Sequence, residues 1–328
     1  MIVEGICELL WKKLKTWLSI CATALLVVAC SENKDPNPEI IKDGSFLKIV
    51  GYLPEYRIGS LHTDMFEYCT DIIYFSIEPA TDGSLILRES TLDDIQKLTL
   101  MRGNRDVRLL ISIGGWGRSE YFGEMALSDS ARQAFTINLT NFLLEQGLDG
   151  ADIDWEFPSD ASEHEAEMWL FRDVNEAFQE HSLLLTTAQS SWYNGHLKSL
   201  DYVDCIHIMS YDHSGRHSTY EDAIADVEVF KNKDIEKKRL FLGVPFYGRD
   251  LTDRTAYTYE QMISVYSLSP DQDEAGNIYF NNVTTIQRKT RYAINEDLGG
   301  IMIWELGQDA KGEQSLLKAI YDEKMRKN

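Results

Sequence analysis

The chain has 328 residues, of which 44% are hydrophobic and 26% charged, a composition typical of a globular protein with a sizeable core. Its 53 acidic residues outnumber its 32 basic residues and give a formal net charge of −21. This charge argues against duplex nucleic acid or an anionic membrane surface as a partner, and it is typical of a protein kept soluble outside a cell.

The first thirty residues have the features of a secretory signal. Lysines between positions 12 and 15 precede the apolar run WLSICATALLVVAC, which is shorter than the roughly 18–20 residues of a spanning helix. The run ends in VVAC, which resembles the lipobox of bacterial lipoproteins, where the signal is cut before a cysteine that then carries lipid. We therefore expect a signal peptide over residues 1–29, a lipid on Cys30 and a polar tether over residues 30–46.

This lipid would anchor the protein to a bacterial membrane, facing the periplasm or the cell surface. An ordinary secretory signal with an incidental cysteine is the alternative. The remaining cysteines, Cys69 and Cys205, each adjoin an apolar segment and are expected to be buried free thiols. Neither the cysteines nor the histidines have the spacing of a metal site, and we expect no metal and no cofactor.

Short apolar runs rich in β-branched residues recur along the rest of the chain and are typical of parallel strands covered on both faces. They predict strands at residues 47–53, 71–77, 107–113, 148–154, 183–189, 203–209, 239–246 and 299–306. Helical periodicity is found between them at residues 129–147, 161–181 and 219–233. Eight strands alternating with helices predict an α/β fold, a single (β/α)₈ TIM barrel over residues 47–328. A doubly wound sheet is the alternative, but no glycine-rich phosphate loop follows the first strand.

Polar and aromatic residues stand where these strands end, which is the face on which TIM barrels carry their active sites. The candidates for a common pocket are Tyr52, Ser76, Ser112, Gly114, Gly115, Trp116, Asp154, Glu156, Gln189, Met209, Tyr211, Asp212, Tyr247, Arg249 and Trp304. Trp116 follows a Gly-Gly turn, a position that favours stacking on a sugar. Arg249 is expected either to contact substrate or to pair with an acid.

The stretch LDGADIDWEFPS (148–159) crowds carboxylates into a strand. Asp152, Asp154 and Glu156 share one face at steps of about 6.5–7 Å, so each charge disfavours ionisation of its neighbour and the group should hold a proton near neutral pH. A calcium site would need more oxygen ligands from a loop, and the apolar Ile153 and Trp155 argue against a solvated edge. Paired carboxylates at a barrel mouth favour cleavage of a glycosidic bond, in which one of them acts as an acid.

The same stretch, DGADIDWEFP, matches the DxxDxDxE motif and resembles family 18 glycoside hydrolases, the chitinase family. SIGGWG (112–117), MSYD (209–212), GVPFYGR (243–249) and GGIMIWELGQD (299–309) follow the order of that family. The resemblance covers about residues 47–323.

The resemblance implies a division of roles in the pocket. Glu156 would protonate the leaving oxygen, while the substrate's own 2-acetamido carbonyl would attack the anomeric carbon. Most glycoside hydrolases use a second carboxylate of the enzyme instead, and this substrate-assisted mechanism is an exception. Asp154 would orient the acetamido N–H, Asp152 would share a proton with Asp154, and Tyr211 would bind the acetamido oxygen. The implied or expected substrate contacts are Trp304, as the floor under the reacting sugar, and Met209, Asp212, Trp116, Tyr52, Gln189 and Arg249.

The resemblance implies hydrolysis of β-1,4 linkages between N-acetylglucosamine units, in chitin or chitooligosaccharides, and we expect the protein to be an endo-acting monomer. One alternative is an endo-β-N-acetylglucosaminidase that cuts the chitobiose core of N-glycans. Another is an inactive sugar-binding protein, against which the intact carboxylates argue. About 50 residues separate GVPFYGR from GGIMIW, too few for the separate α+β subdomain of many family members together with a barrel helix, and this predicts a shallow, open cleft.

Overall fold

The computed structural model describes residues 42–60, 64–192 and 197–326. The predicted signal peptide, its lipid-bearing Cys30 and most of the predicted tether lie outside these described residues. Among the helices that are described, none is long and apolar enough to cross a membrane.

In the described part of the chain, eight parallel strands close into a barrel. In chain order the strands are β1 (Lys48–Pro54), β2 (Asp71–Pro79), β3 (Leu85–Ile86), β4 (Arg108–Gly114), β5 (Gly150–Asp154), β6 (Leu184–Gln189), β7 (Cys205–Ile208), β8 (Leu240–Pro245), β9 (Tyr247–Asp250), β10 (Ala256–Thr258), β11 (Glu274–Ala275), β12 (Ile278–Tyr279) and β13 (Gly300–Trp304). Of these, β3 and β9 to β12 lie outside the barrel. The barrel order is β1-β13-β8-β7-β6-β5-β4-β2, and β2 pairs with β1 to close it. The predicted TIM barrel is confirmed, and each predicted strand lies within two residues of an observed one. Closure excludes the doubly wound sheet.

Helices alternate with the barrel strands. They are α1 (Met65–Tyr68), α2 (Thr91–Arg102), α3 (Phe122–Leu127), α4 (Asp129–Gln146), α5 (Ala161–Gln179), α6 (Tyr220–Lys231), α7 (Tyr259–Val265), α8 (Val283–Asn295) and α9 (Leu316–Met325). The three predicted helices correspond to α4, α5 and α6. Their ends follow local signals: Asp160 caps α5, a Thr219–Asp222 capping box begins α6, and Gly147 at φ 64° ends α4.

Strand alternation divides the core into two clusters. The outer cluster fills the space between strands and helices, and the inner one fills the barrel with Val50, Tyr52, Ile73, Phe75, Leu110, Phe241 and Met302. On β5, Ala151 and Ile153 face the helices, so Asp152 and Asp154 face the barrel interior. Trp155 stacks on Phe122 with ring centroids 5.1 Å apart. The carboxylates are therefore placed inside by the same alternation that packs the outer core.

The segment between β8 and the barrel helix α8 forms a small antiparallel sheet, in the order β10-β9-β12-β11, together with the seven-residue helix α7. It packs against the loop after β7, where Arg216 pairs with Glu274 and lies over the ring of Tyr279. The sequence pattern predicted a connection and a barrel helix in this segment, but no strands. The segment between β8 and α8 therefore holds a compact α+β element that borders one side of the barrel mouth.

Cys69 and Cys205 are both free thiols, as predicted. Cys69 is buried, whereas Cys205 is only half-buried, which corrects the expectation of full burial for both. Burial raises the pKa of the Cys205 thiol to about 12. Neither thiol is poised to react at neutral pH.

Candidate active site

Asp152 lies at the bottom of the site with its side chain fully buried. Tyr52 Oη donates to its Oδ2 at 2.8 Å, Ser112 Oγ to the same oxygen at 3.3 Å, and Thr186 Oγ1 to its Oδ1 at 2.6 Å. His207 Nδ1 lies 2.9 Å from Tyr52 Oη. Because the single hydroxyl proton of Tyr52 is given to Asp152, the bond to His207 requires a proton on Nδ1. Asp152 is thus fixed in position by a surrounding network.

Thr186 and His207 were not identified from the sequence. Strand register contained part of the signal, since Ser112 on β4 and Thr186 on β6 are the direct neighbours of Asp152 in the sheet. A polar residue beside an inward-facing carboxylate on a parallel neighbour faces the same interior. The register was not known until the barrel was closed.

Asp154 lies one layer above Asp152 and is 3% exposed. Its Oδ1 is buried and has no hydrogen-bond partner among the residues that the structure describes. Burial, followed by the charges of Glu156 and Asp152, raises the pKa of the Asp154 carboxyl well above its usual range. A Cβ on Gly115 would lie 2.3 Å from the ring of Phe75, and so only glycine fits against this layer. The site therefore contains a buried carboxyl with one oxygen left unsatisfied.

Glu156 stands above Asp154 at the mouth, partly buried, with its backbone N–H donating to Ser119 Oγ at 3.0 Å. Burial raises the pKa of its carboxyl to about 7, with a further contribution from the charge of Asp212 and a partial opposition from the backbone N–H of Trp116. A large fraction of Glu156 is therefore protonated at neutral pH, as a general acid must be.

Three other predicted residues cover the inner cluster beside these carboxyls. Met209, Tyr211 and Trp304 are half-buried and pack against the inner barrel cluster, the Trp304 ring standing edge-to-face on Phe75 at 4.8 Å. Burial, then the charges of neighbouring groups that include Asp154, raises the pKa of Tyr211 well above its usual range, and its hydroxyl stays protonated. The floor of the pocket is thus aromatic and offers a hydroxyl donor near the acids.

Asp212 and Arg249 form a bidentate ion pair at the edge of the pocket. Arg249 Nε and a terminal guanidinium nitrogen each lie 2.7 Å from a different oxygen of Asp212. Burial opposes ionisation, but the hydrogen bonds of Arg249 outweigh it and lower the pKa of Asp212. Of the two roles expected for Arg249, pairing with an acid is the one observed.

Two predicted substrate contacts lie elsewhere. Gln189 is buried and donates to Thr187 Oγ1 at 3.2 Å, on the side of β6 opposite to Thr186, which faces Asp152. A residue at a strand end faces the pocket only if its parity is inward, and Gln189 has the outward parity. Tyr52 does face inward, but it is 1% exposed beneath Trp304 and supports Asp152 rather than offering a surface to a ligand.

Trp116 is 78% exposed in the loop after β4, with its ring available to stack. Within the described residues, no group of three or more His, Cys, Asp or Glu side chains is arranged to hold a metal ion. The arrangement therefore combines a glutamic acid of raised pKa, a buried carboxyl with a free oxygen and aromatic surfaces. Such a pocket can bind a sugar and deliver a proton to it.

The sequence model of glycosyl hydrolases family 18 matches residues 48–309. Chitinase 1 of Aphanocladium album is 26% identical over 287 residues, which cover 69% of this chain and 67% of that protein. Among solved structures, a chitinase of Bacteroides thetaiotaomicron has a TM-score of 0.79 at 26% identity, covering 85% of this chain and 97% of that one.

A family 18 chitinase from the chitin utilization locus of Flavobacterium johnsoniae has a TM-score of 0.76 at 29% identity, covering 85% of this chain and 94% of that chain. The family match spans most of the chain and includes all the strand ends that build the pocket. The chain is a chitinase-like enzyme and belongs to family 18 of the glycosyl hydrolases.

Proposed function

We propose that this protein hydrolyses β-1,4 linkages between N-acetylglucosamine units of chitin or chitooligosaccharides, cutting within the chain and retaining the anomeric configuration. The observation that carries this proposal is the pairing of Glu156, with a pKa of about 7, and Asp154, whose buried Oδ1 lacks a partner among the described residues. One group donates a proton at the mouth, and the other offers an acceptor to a substrate N–H below it.

In the first step Glu156 gives its proton to the glycosidic oxygen as the bond from that oxygen to C1 breaks. The acetamido carbonyl oxygen of the same sugar bonds to C1 and forms an oxazolinium ion. Asp154 accepts the acetamido N–H through its unpartnered Oδ1, and passing its own proton to Asp152 would leave on Asp154 the negative charge that balances the oxazolinium ion, in a buried layer where charge interactions are strong. Water then attacks C1 as the ionised Glu156 takes its proton, the bond from C1 to the acetamido oxygen breaks and restores the acetamido group, and two inversions give retention.

Asp212 and Asp152 are poorly placed to act as nucleophiles instead. Asp212 has both oxygens engaged by Arg249, and Asp152 is fully buried within its hydrogen-bond network. A nucleophile supplied by the substrate leaves these groups in their observed roles. Tyr211, with its hydroxyl protonated, supports the proposal because a donor is needed to fix the acetamido oxygen.

An inactive sugar-binding protein is the competing function. Proteins of that kind need only the aromatic surfaces of Trp116 and Trp304. The perturbed pKa of Glu156 supports the enzyme, since a binding protein gains nothing from a buried acid at the mouth.

The test follows the anomeric proton of the first product by NMR during cleavage of chitohexaose. We expect the β-anomer to appear first and to mutarotate later, and a thiazoline derived from N-acetylglucosamine to inhibit competitively, since it mimics the oxazolinium ion. Initial release of the α-anomer would show inversion and refute the acetamido mechanism. Binding of chitohexaose without any cleavage would favour the sugar-binding protein.

We also propose that a lipid on Cys30 anchors the enzyme to a bacterial membrane, facing the periplasm or the cell surface. The VVAC sequence before this residue and the polar segment after it support the proposal. Anchoring would hold the enzyme where it meets oligosaccharides outside the cytoplasm.

A further inference from the structure

Outside the pocket, the helix α6 carries another buried carboxylate, Asp226, which is 4% exposed. Among the described residues, three side chains donate to it: Ser191 Oγ to Oδ1 at 2.5 Å, Ser210 Oγ to Oδ2 at 2.5 Å, and His213 Nε2 to Oδ2 at 2.9 Å. None of these donors belongs to α6. Asp226 therefore joins its helix to the loop after β6 and to the loop after β7.

The positions of these donors connect Asp226 with the pocket. Ser210 directly precedes Tyr211, and His213 directly follows Asp212. A single carboxylate thus holds both flanks of the Tyr211–Asp212 pair that forms one wall of the sugar site.

The backbone of this wall needs such support. Asp212 has φ 63°, in the left-handed region that a residue other than glycine adopts only when its surroundings hold it there. Its side chain must also stay in place to receive both nitrogens of Arg249. Loss of either flank would let Asp212 relax and would turn the adjoining Tyr211 hydroxyl away from the acids.

The pKa shifts of His213 and Asp226 agree with a role in holding this wall. The hydrogen bond that His213 donates to Asp226 raises the pKa of His213, against the effect of burial. Burial disfavours ionisation of Asp226, but the bonds from His213, Ser191 and Ser210 outweigh it and lower its pKa. Both shifts favour the charged forms, and a charge-assisted hydrogen bond fixes the two groups more strictly than an apolar contact.

The far end of the same loop is anchored from another element. Ser218 Oγ donates to the backbone oxygen of Ser210 at 2.6 Å, and the fully buried Lys289 of α8 donates to Ser218 Oγ at 2.7 Å. Lys289 also donates to Asn281 Oδ1 at 2.7 Å. The loop is thus held at Ser218 from α8, at the backbone oxygens of His213 and Gly215 by Arg254, and at the side chains of Ser210 and His213 by Asp226.

We propose that Asp226 is a positioning residue for the hydrolysis: through Ser210 and His213 it holds Tyr211 and Asp212 in the geometry that binds the acetamido group of the reacting sugar. Asp226 touches no substrate. The proposal deepens the proposed function and rests on it for its kinetic readout, whereas its structural readout is independent of any substrate.

The test replaces Asp226 by asparagine, which keeps the size but removes the charge and one acceptor. We expect kcat/KM on chitohexaose to fall roughly 10- to 100-fold, and the thiazoline to bind more weakly by a similar factor because it uses the same acetamido contacts. Hydrogen–deuterium exchange should rise in the backbone of residues 209–214, whereas the strands β4 and β5 should be unchanged. Asp226→Glu keeps the charge and should recover part of the activity.

The matched control is Glu323→Gln on α9, a buried carboxylate that pairs with Arg291 away from the pocket loops. If this variant loses as much stability as Asp226→Asn but keeps full turnover, the loss at Asp226 is one of positioning. Should Asp226→Asn fold poorly, Ser210→Ala removes a single bond and is expected to show the same pattern at smaller size.

Normal kcat/KM, inhibitor affinity and exchange in a folded Asp226→Asn would overturn the proposal, and so would an equal loss of activity in the Glu323→Gln control. If the unmodified protein neither binds nor cleaves chitohexaose, the proposed function fails. In that case the exchange measurement still decides whether Asp226 holds the loop.

Discussion

Replacing Glu156 by glutamine tests its proposed role as catalytic acid and, separately, the effect of its raised pKa on the stability of the fold. The pKa of this carboxyl is raised from 4.5 to about 7, which at about 1.36 kcal/mol per pH unit corresponds to at most about 3 kcal/mol. Because the folded state holds the proton more tightly than the unfolded state, this stability is present below pH 4.5 and is lost as pH rises towards 7. Glutamine has no proton to lose, so the variant should keep it.

We expect Glu156→Gln to lower kcat roughly 10²- to 10⁴-fold, since the amide cannot deliver a proton to the leaving oxygen, while substrate binding survives. Thermal melting should show a variant that gains on the unmodified protein between pH 4 and pH 8.5, by roughly 2 °C for each kcal/mol. In the unmodified protein, kcat/KM should fall as pH rises through about 7.

The assay combines melting curves at both pH values with a pH profile of kcat/KM on chitohexaose. Glu165→Gln, an exposed change on the neighbouring helix, is the matched control and should leave both measurements unaltered. A variant that keeps near-normal turnover would remove Glu156 from its role as acid. A melting difference that is the same at both pH values would show that the carboxyl is not perturbed by burial.

Three further predictions concern substrate stacking, membrane anchoring and processivity. Trp116→Ala should raise KM for chitohexaose by roughly 3- to 10-fold with little change in kcat, because an exposed stacking ring contributes about 0.5–1.5 kcal/mol, and an unchanged KM would remove Trp116 from the binding site. Cys30→Ser should move the protein from the membrane fraction to the soluble one, whereas an unchanged membrane fraction would mean that VVAC is not the anchor. Early digests of a soluble chitin polymer should contain mixed product lengths, since few aromatic platforms are available to retain a sliding chain, and a dominant run of dimers from the first minutes would show processivity.

Much of the fold followed from the sequence because its signals were local. Each barrel strand is a short apolar run whose two faces are both covered, and this pattern survives in isolation. The position of Asp152, Asp154 and Glu156 on one face needed only the alternation of a single strand. The motif then singled out Glu156 as the proposed acid without any knowledge of the packing.

What the sequence did not reveal depends on contacts between distant strands. Thr186 and His207 became visible as partners of Asp152 and Tyr52 only when the register of the closed barrel was known. Gln189 was misplaced because its position at a strand end was considered without its parity. The bond between Asp212 and Arg249 joins residues 37 positions apart, and a sequence pattern cannot choose between such a pair and a substrate contact.

The small antiparallel sheet after β8 was also missed for a physical reason. Its strands are two to four residues long, and runs this short do not show an alternating pattern that differs from that of a loop. They are stabilised by pairing with one another and by contact with the loop after β7. This packing is tertiary and leaves little trace in local composition.

We propose that the pocket cuts N-acetylglucosamine linkages by using the acetamido group of the substrate. The most direct test of this mechanism is mass spectrometry of the products that the purified protein forms from chitohexaose, cellohexaose and an N-glycoprotein in parallel. We expect shorter N-acetylated oligomers from chitohexaose, which form roughly 10²- to 10⁴-fold more slowly with Glu156→Gln, and an intact cellohexaose. Release of glycans from the glycoprotein alone would move the substrate to the chitobiose core of N-glycans, and steady cleavage of cellohexaose would contradict the acetamido mechanism itself.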